Sequence, residues 1–212
     1  MGKSTQQLKG ADMKRDFKEA VRHRRSYYAI GEKPAAGDAE IEEMAAFALD
    51  NVPSAFNSQS TRIALLFGGH HKKLWDIVKE ALQKRLPADR YAATEAKIDG
   101  SFSCGYATVL FFEDQEVVKN LQKNFPSYRD MFPQWSDHTS GMHQLAVWTM
   151  LEDAGFGASL QHYNPLIDGD VRREWNFPES WKLIAQMPFG IPEENPAPKE
   201  KLPLADRLKV FK

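Results

Sequence analysis

The segment from His138 to Ala154 constrains the fold most, because Leu145, Ala146, Val147, Trp148, Met150, Leu151 and Ala154 leave it almost no polar face. A helix that is apolar nearly all round has to be buried, either at the centre of the protein or against a second subunit. Gly155 marks its end, as glycine commonly does just past a helix C-terminus. With 212 residues the chain is long enough for one medium domain to enclose such a helix.

Around this helix the pattern alternates. Asp16 to Arg24 reads as a helix running into Arg24-Arg25-Ser26. Asp38 is a candidate cap for a second helix, with Ile41, Met44, Ala45 and Ala48 at one-face spacing and Pro53 as its stop. Arg62 to Phe67, bounded by Gly68-Gly69, predicts a buried strand, and Leu74, Ile77, Val78, Ala81 and Leu82 predict a third helix. Gly105 to Phe112 predicts a strand buried on both faces, Trp181 to Gly190 a third strand and Leu208 to Phe211 a candidate fourth. Helices interleaved with apolar strands point to a three-layer α/β or α+β sheet protein rather than a bundle. The Pro-rich run from Pro192 to Pro203 predicts an extended linker to a C-terminal arm, of the kind that wraps a partner subunit.

Charge and cysteine usage narrow the function classes. Lys and Arg number 28 against 29 Asp and Glu, so no strongly basic field exists to attract nucleic acid or an acidic membrane. Cys104 is the only cysteine, which rules out an intrachain disulfide and suits a reducing compartment. No apolar run approaches the ~20 residues of a membrane helix. Residues 1–12 read as a disordered lead or a cloning remnant, and Gln6 stands where a myristoylation motif wants Ser or Thr. A single domain over 13–212 and a cytoplasmic location are the expectation.

Four polar segments carry candidate chemistry. Arg24, Arg25 and Ser26 set two guanidinium groups beside a hydroxyl, donors suited to a phosphate and to the polar edge of a ring. A solvated helix end accounts for them equally. Pro53-Ser54-Ala55-Phe56-Asn57-Ser58-Gln59 packs a hydroxyl and two amides into one turn, and a plain polar loop is its alternative. Gly155-Phe156-Gly157-Ala158-Ser159-Leu160-Gln161-His162 follows the core helix, where a simple C-cap is the alternative. Lys199 and Lys201 lie on the Pro-rich arm, where lysines are usually solvated.

In this order and spacing the four segments resemble the FMN-dependent nitroreductase family, closest to its fatty-acid-repression-type, yeast-like branch. The resemblance spans nearly the whole chain. It implies an α+β three-layer fold with a mostly antiparallel central sheet flanked by helices, and an intertwined homodimer with FMN at the interface. It also implies that Arg24, Ser26, Lys199 and Lys201 hold the phosphate, that Arg25, Ser54, Asn57 and Gln59 meet the ring edge, and that backbone at Leu160, Gln161 and His162 faces flavin N5 and O4. Tyr28 stands where many members carry a cation near the pyrimidine end, and Arg25 is the substitute. The implied activity is a ping-pong transfer of hydride from NADH or NADPH to nitroaromatic or quinone-type acceptors. No dinucleotide fingerprint separates the two donors. The rival within this resemblance is a flavin-binding sensor or store without turnover.

The remaining chemistry is thin. His70-His71, His138 and His143 gather no three ligands at metal spacing, so no metal is expected. Cys104 with His138 or His143 is a remote thiol-nucleophile pair, since a lone buried cysteine is usually inert. Trp135, Trp148, Trp175 and Trp181 suit core or interface. Phe125, Tyr128, Met131, Phe132 and Trp135 form an aromatic stretch before the core helix, either a lid over a hydrophobic substrate pocket or a loop packed on the dimer.

Overall fold

The computed structural model describes residues 16–212, so the expectation for residues 1–12 lies outside the described residues. In chain order the elements are α1 (Phe17–His23), β1 (Ile30–Gly31), α2 (Asp38–Asn51), β2 (Thr61–Phe67), α3 (Gly68–Gln83), α4 (Ala88–Ile98), β3 (Ala107–Asp114), α5 (Gln115–Asn124), α6 (Phe132–Asp153), β4 (Gly157–Ala158), α7 (Asp168–Trp175) and β5 (Trp181–Pro192).

The strands form one antiparallel sheet in the order β1-β5-β3-β2, with β4 paired to β5. β3 is buried along its whole length, and its alternation feeds two cores. Leu110 and Phe112 face a cluster with Leu74, Trp75, Val78 of α3 and Val171 of α7. Ala107, Val109 and Phe111 face the opposite cluster with Ile41 and Ala48 of α2 and Val147 and Leu151 of α6. The result is the α+β three-layer arrangement with helices on both faces of an antiparallel sheet.

The core helix is longer than its apolar pattern predicts. α6 starts at Phe132, so the end of the aromatic stretch is helical rather than loop. Its inner face buries Phe132, Val147 and Leu151, whereas Met142 and Leu145 are 42% and 44% exposed in the single protomer. The helix closes as the glycine predicts. Phe156 N donates to Leu151 O at 2.8 Å and Gly155 N to Glu152 O at 2.9 Å, with Gly155 at φ 91°. That double closure is a Schellman motif, and the buried pair Phe156 and Leu151 supplies its hydrophobic contact.

Two expectations are corrected. Leu208 to Phe211 forms no strand: it follows a 3-10 turn at Leu204–Asp206 and leaves Leu208, Val210 and Phe211 exposed. A strand needs a ladder partner, and the arm runs outside the sheet. Asp38 is the first residue of α2 rather than its cap, which is Gly37. The Asp38 carboxylate instead accepts the Tyr106 hydroxyl. The polar helices α4, α5 and α7 are additions to the expected elements, and each buries a single residue: Ile98, Val118 and Val171. Among the described residues no helix is long and apolar enough to cross a membrane.

Candidate functional site

The first polar segment leaves α1 at its C-cap, Arg24. The Arg24 guanidinium lies over Trp148 of α6, with Cζ 4.4 Å from the ring centroid. Its Nε is buried and has no hydrogen-bond partner among the described residues. Burial, and then the neighbouring Arg25 charge, hold its pKa below the usual arginine value, with Glu152 opposing the shift. A desolvated cation beside a like charge is a setting that an anion would relieve.

Beyond Arg24 the chain runs alongside β4. Ser26 bridges Ala158, and Tyr27 N donates to Ala158 O at 2.9 Å. Gly157 is required here, since a Cβ on it would sit 2.7 Å from Tyr27 Cγ. The first and third polar segments are therefore in direct contact. The C-terminal arm crosses them: Arg25 Nη2 donates to Ala197 O at 2.5 Å. Between arm and segment lies a cleft of about 550 Å³ whose lining includes Arg25, Ser26, Tyr28, Pro198 and Lys199. Lys201 is exposed two residues further along the arm and is not among the residues lining it. The Tyr28 ring stands 5.9 Å from Lys97 Nζ and 6.3 Å from the Phe102 ring.

Past β4 the third segment is held by a residue that sequence reasoning missed. Gln186, wholly buried in β5, exchanges both backbone hydrogen bonds with Gln161, at 2.7 and 2.9 Å. Its side chain accepts from Tyr163 N at 2.8 Å and donates to Asn164 Oδ1 at 3.3 Å. Leu160 and Gln161 are half-buried and His162 is exposed. The signal was available: an amide in the middle of an apolar strand needs partners.

The second polar segment is strained and lies elsewhere. Phe56, Asn57 and Gln59 adopt φ of 57°, 51° and 50°, a left-handed conformation that side chains disfavour. Ser54 Oγ accepts from Gln59 N at 3.0 Å and ties the turn to itself. The Phe56 ring projects into the aromatic stretch, 4.9 Å from Phe125, 5.3 Å from Phe132, 5.7 Å from Tyr128 and 6.1 Å from Trp135. Those contacts place the turn at the N-terminal end of α6. Arg24 meets Trp148 near the C-terminal end of the same 22-residue helix. At 1.5 Å per residue the two clusters stand roughly 25 Å apart. One protomer thus does not bring the Ser54–Gln59 turn to the arginine cleft.

Cys104 offers no activated thiol. It is half-buried, and burial pushes its pKa up, the wrong direction for a nucleophile. His143 is buried within α6, with Nδ1 on Thr139 O at 3.0 Å.

Sheet, layers and the polar clusters at either end of α6 define a three-layer α+β protein built around one core helix. The chain belongs to the nitroreductase family, whose model matches residues 21–191, and it is an oxidoreductase of that type. The nitroreductase FRM2 of Saccharomyces cerevisiae is 32% identical over 200 residues, 92% of this chain and 97% of the relative. The nitroreductase CinD of Lactococcus lactis, solved with 4-nitrophenol, is 45% identical; it superposes with a TM-score of 0.84 over 92% of this chain and 100% of that one. A nitroreductase structure from Saccharomyces cerevisiae is 32% identical, with a TM-score of 0.72 over 82% of this chain and 94% of that one.

Proposed function

We propose that the protein is an FMN-dependent homodimer that takes hydride from NADH or NADPH and delivers it to nitroaromatic or quinone-type acceptors in a ping-pong cycle. The observation that carries this reading is Arg24, a half-buried guanidinium whose buried Nε lacks a hydrogen-bond partner among the described residues. It adjoins a cleft lined by a second arginine, a hydroxyl and Lys199. These residues fit a phosphate-bearing cofactor. Bound there, FMN would supply a ring that accepts hydride and gives it up again.

Arg24, Ser26, Lys199 and Lys201 would hold the phosphate, Arg25 and Tyr28 the pyrimidine edge, and backbone at Leu160, Gln161 and His162 the face around N5 and O4. Ser54, Asn57 and Gln59 would come from the second copy. Two features support that assembly. The turn and the cleft occupy opposite ends of α6, so a two-fold partner is the simplest way to bring them together. Phe47 and Leu49 of α2 and Met142 and Leu145 of α6 present exposed apolar surface, as do Leu202, Leu204 and Phe211 on the arm. The aromatic ring set around Phe56 would then flank the ring site and favour flat acceptors, in keeping with the 4-nitrophenol and chloramphenicol complexes of CinD.

The visible spectrum of the purified protein, before and after anaerobic NADH or NADPH, tests this reading. Flavin bands near ~450 nm that bleach on addition support it. A colourless protein that takes up no added FMN overturns it. A yellow protein that neither nucleotide bleaches would instead make it a binder without turnover.

A further inference from the structure

Glu113, near the end of β3, is wholly buried, and hydroxyl donors of three residues converge on it. Its Oε2 accepts from Ser60 Oγ at 2.5 Å and from Ser136 Oγ at 2.7 Å, and its Oε1 from Thr61 Oγ1 at 2.6 Å. Ser60 and Thr61 are the two residues that follow Gln59, while Ser136 lies in the second turn of α6. Asp114 N adds a bond to Ser60 O at 2.8 Å. His143 Nδ1 sits 3.0 Å from Thr139 O and 3.3 Å from Thr61 Oγ1; a carbonyl only accepts, so Nδ1 carries the proton.

An apolar side chain of similar volume commonly serves stability as well as a buried charge does. A carboxylate whose donors come from two separate elements therefore points to a geometric task. The turn beside it has one. Phe56, Asn57 and Gln59 hold left-handed backbone without being glycine, and such conformations persist only where the surroundings over-determine them. The Ser54–Gln59 bond is a tie within the turn. Longer-range ties come from the Phe56 ring on α6, from Arg62, which joins Gln59 O to Asp114, and from the Glu113 hub, which alone of these links the exit of the turn to both β3 and α6 through hydroxyls.

We propose that Glu113 is a positioning residue that clamps the Asn57–Gln59 turn in the conformation that meets the flavin ring, a role that rests on the FMN reading above. The side chain is wholly buried and bonded to the hydroxyls of Ser60, Thr61 and Ser136. Its effect is transmitted through Ser60.

Two substitutions separate this role from simple packing, because Ser60→Ala and Ser136→Ala each remove one donor from the same Oε2. The flavin-free proteins are compared by thermal unfolding and FMN affinity by quenching of flavin fluorescence. The clamp predicts similar losses of Tm. It also predicts that Ser60→Ala raises the FMN Kd by about tenfold or more, the order of one charge-assisted hydrogen bond, while Ser136→Ala stays within about twofold. In a Glu113→Gln background, Ser60→Ala should change the Kd no further. Equal Kd changes in the two alanine variants overturn the clamp, as does an unchanged Kd in Glu113→Gln. Wild-type protein that takes up no FMN overturns the flavin reading, and the clamp with it; wild-type binding with matched variants overturns the clamp alone.

Discussion

The Arg24 guanidinium lies over the Trp148 ring at 4.4 Å, half-buried and beside Arg25, with its buried Nε unanswered among the described residues. Such a group weakens the empty protein and strengthens an anion complex. Arg24→Met, which keeps the contact with Trp148, should leave the flavin-free chain at least as stable by thermal unfolding. The FMN Kd should rise by about tenfold or more. A lower Tm with unchanged affinity would assign Arg24 to packing instead.

Asn57 occupies left-handed backbone at φ 51° in the exposed turn. Asn57→Leu should abolish FMN retention while the protein stays folded, because it removes an amide and adds about 1–2 kcal/mol of backbone strain at a surface position. Asn57→Gly relieves the strain and still lacks the amide, so it should keep stability and lose flavin. A yellow, active Asn57→Leu protein would take Asn57 out of the site.

Gly157 approaches Tyr27 so closely that a Cβ would stand 2.7 Å from Tyr27 Cγ and 2.8 Å from its Cβ. Gly157→Ala should destabilise by about 1–3 kcal/mol in chemical denaturation. FMN affinity should fall with it, since the Arg25-Ser26-Tyr27 segment would be pushed off β4. Gly169→Ala in α7, where an added Cβ would meet no neighbouring element within 4 Å, is the control and should be neutral or slightly stabilising.

His71 is wholly buried, with Nδ1 on Thr108 Oγ1 at 2.8 Å and Nε2 on Ser103 O at 3.1 Å. Burial depresses its pKa from 6.5 to about 4. On acidification the unfolded chain takes up this proton first, so stability falls progressively between about pH 6.5 and pH 4. The contribution is at most about 3 kcal/mol. His71→Asn should flatten that part of the stability-versus-pH curve; an unchanged slope would show that other groups set it.

Much of the fold is legible in the sequence because burial imposes periodicity. β3 reads as a continuous apolar run since both of its faces are covered, and α3 shows a one-sided stripe since only one of its faces is. α4, α5 and α7 are amphipathic too but short and rich in charge, each burying one residue, and Leu208 to Phe211 misleads because apolar composition does not supply a ladder partner. In the candidate site, Arg24, Arg25, Ser26, Tyr28 and Lys199 are recognisable as polar clusters with a family-like order, and the structure gathers most of them around one cleft. Glu113 and Gln186 are not, although each is a polar residue within or at the end of an apolar strand. Their side-chain partners lie 22 to 53 positions away in the chain.

Local pattern is enough for a layered sheet protein, α/β or α+β, and for the core helix with its glycine stop, and the motifs in order are enough for the family and with it the α+β class. Tertiary structure decided the rest. It set Tyr27 against Ala158, left the Arg24 Nε without a hydrogen-bond partner among the described residues, and put the Ser54–Gln59 turn at the far end of α6 from the arginine cleft. The reason is that hydrogen bonding and desolvation depend on which atoms meet in space, and residues distant in the chain meet only once the sheet and its two cores have formed.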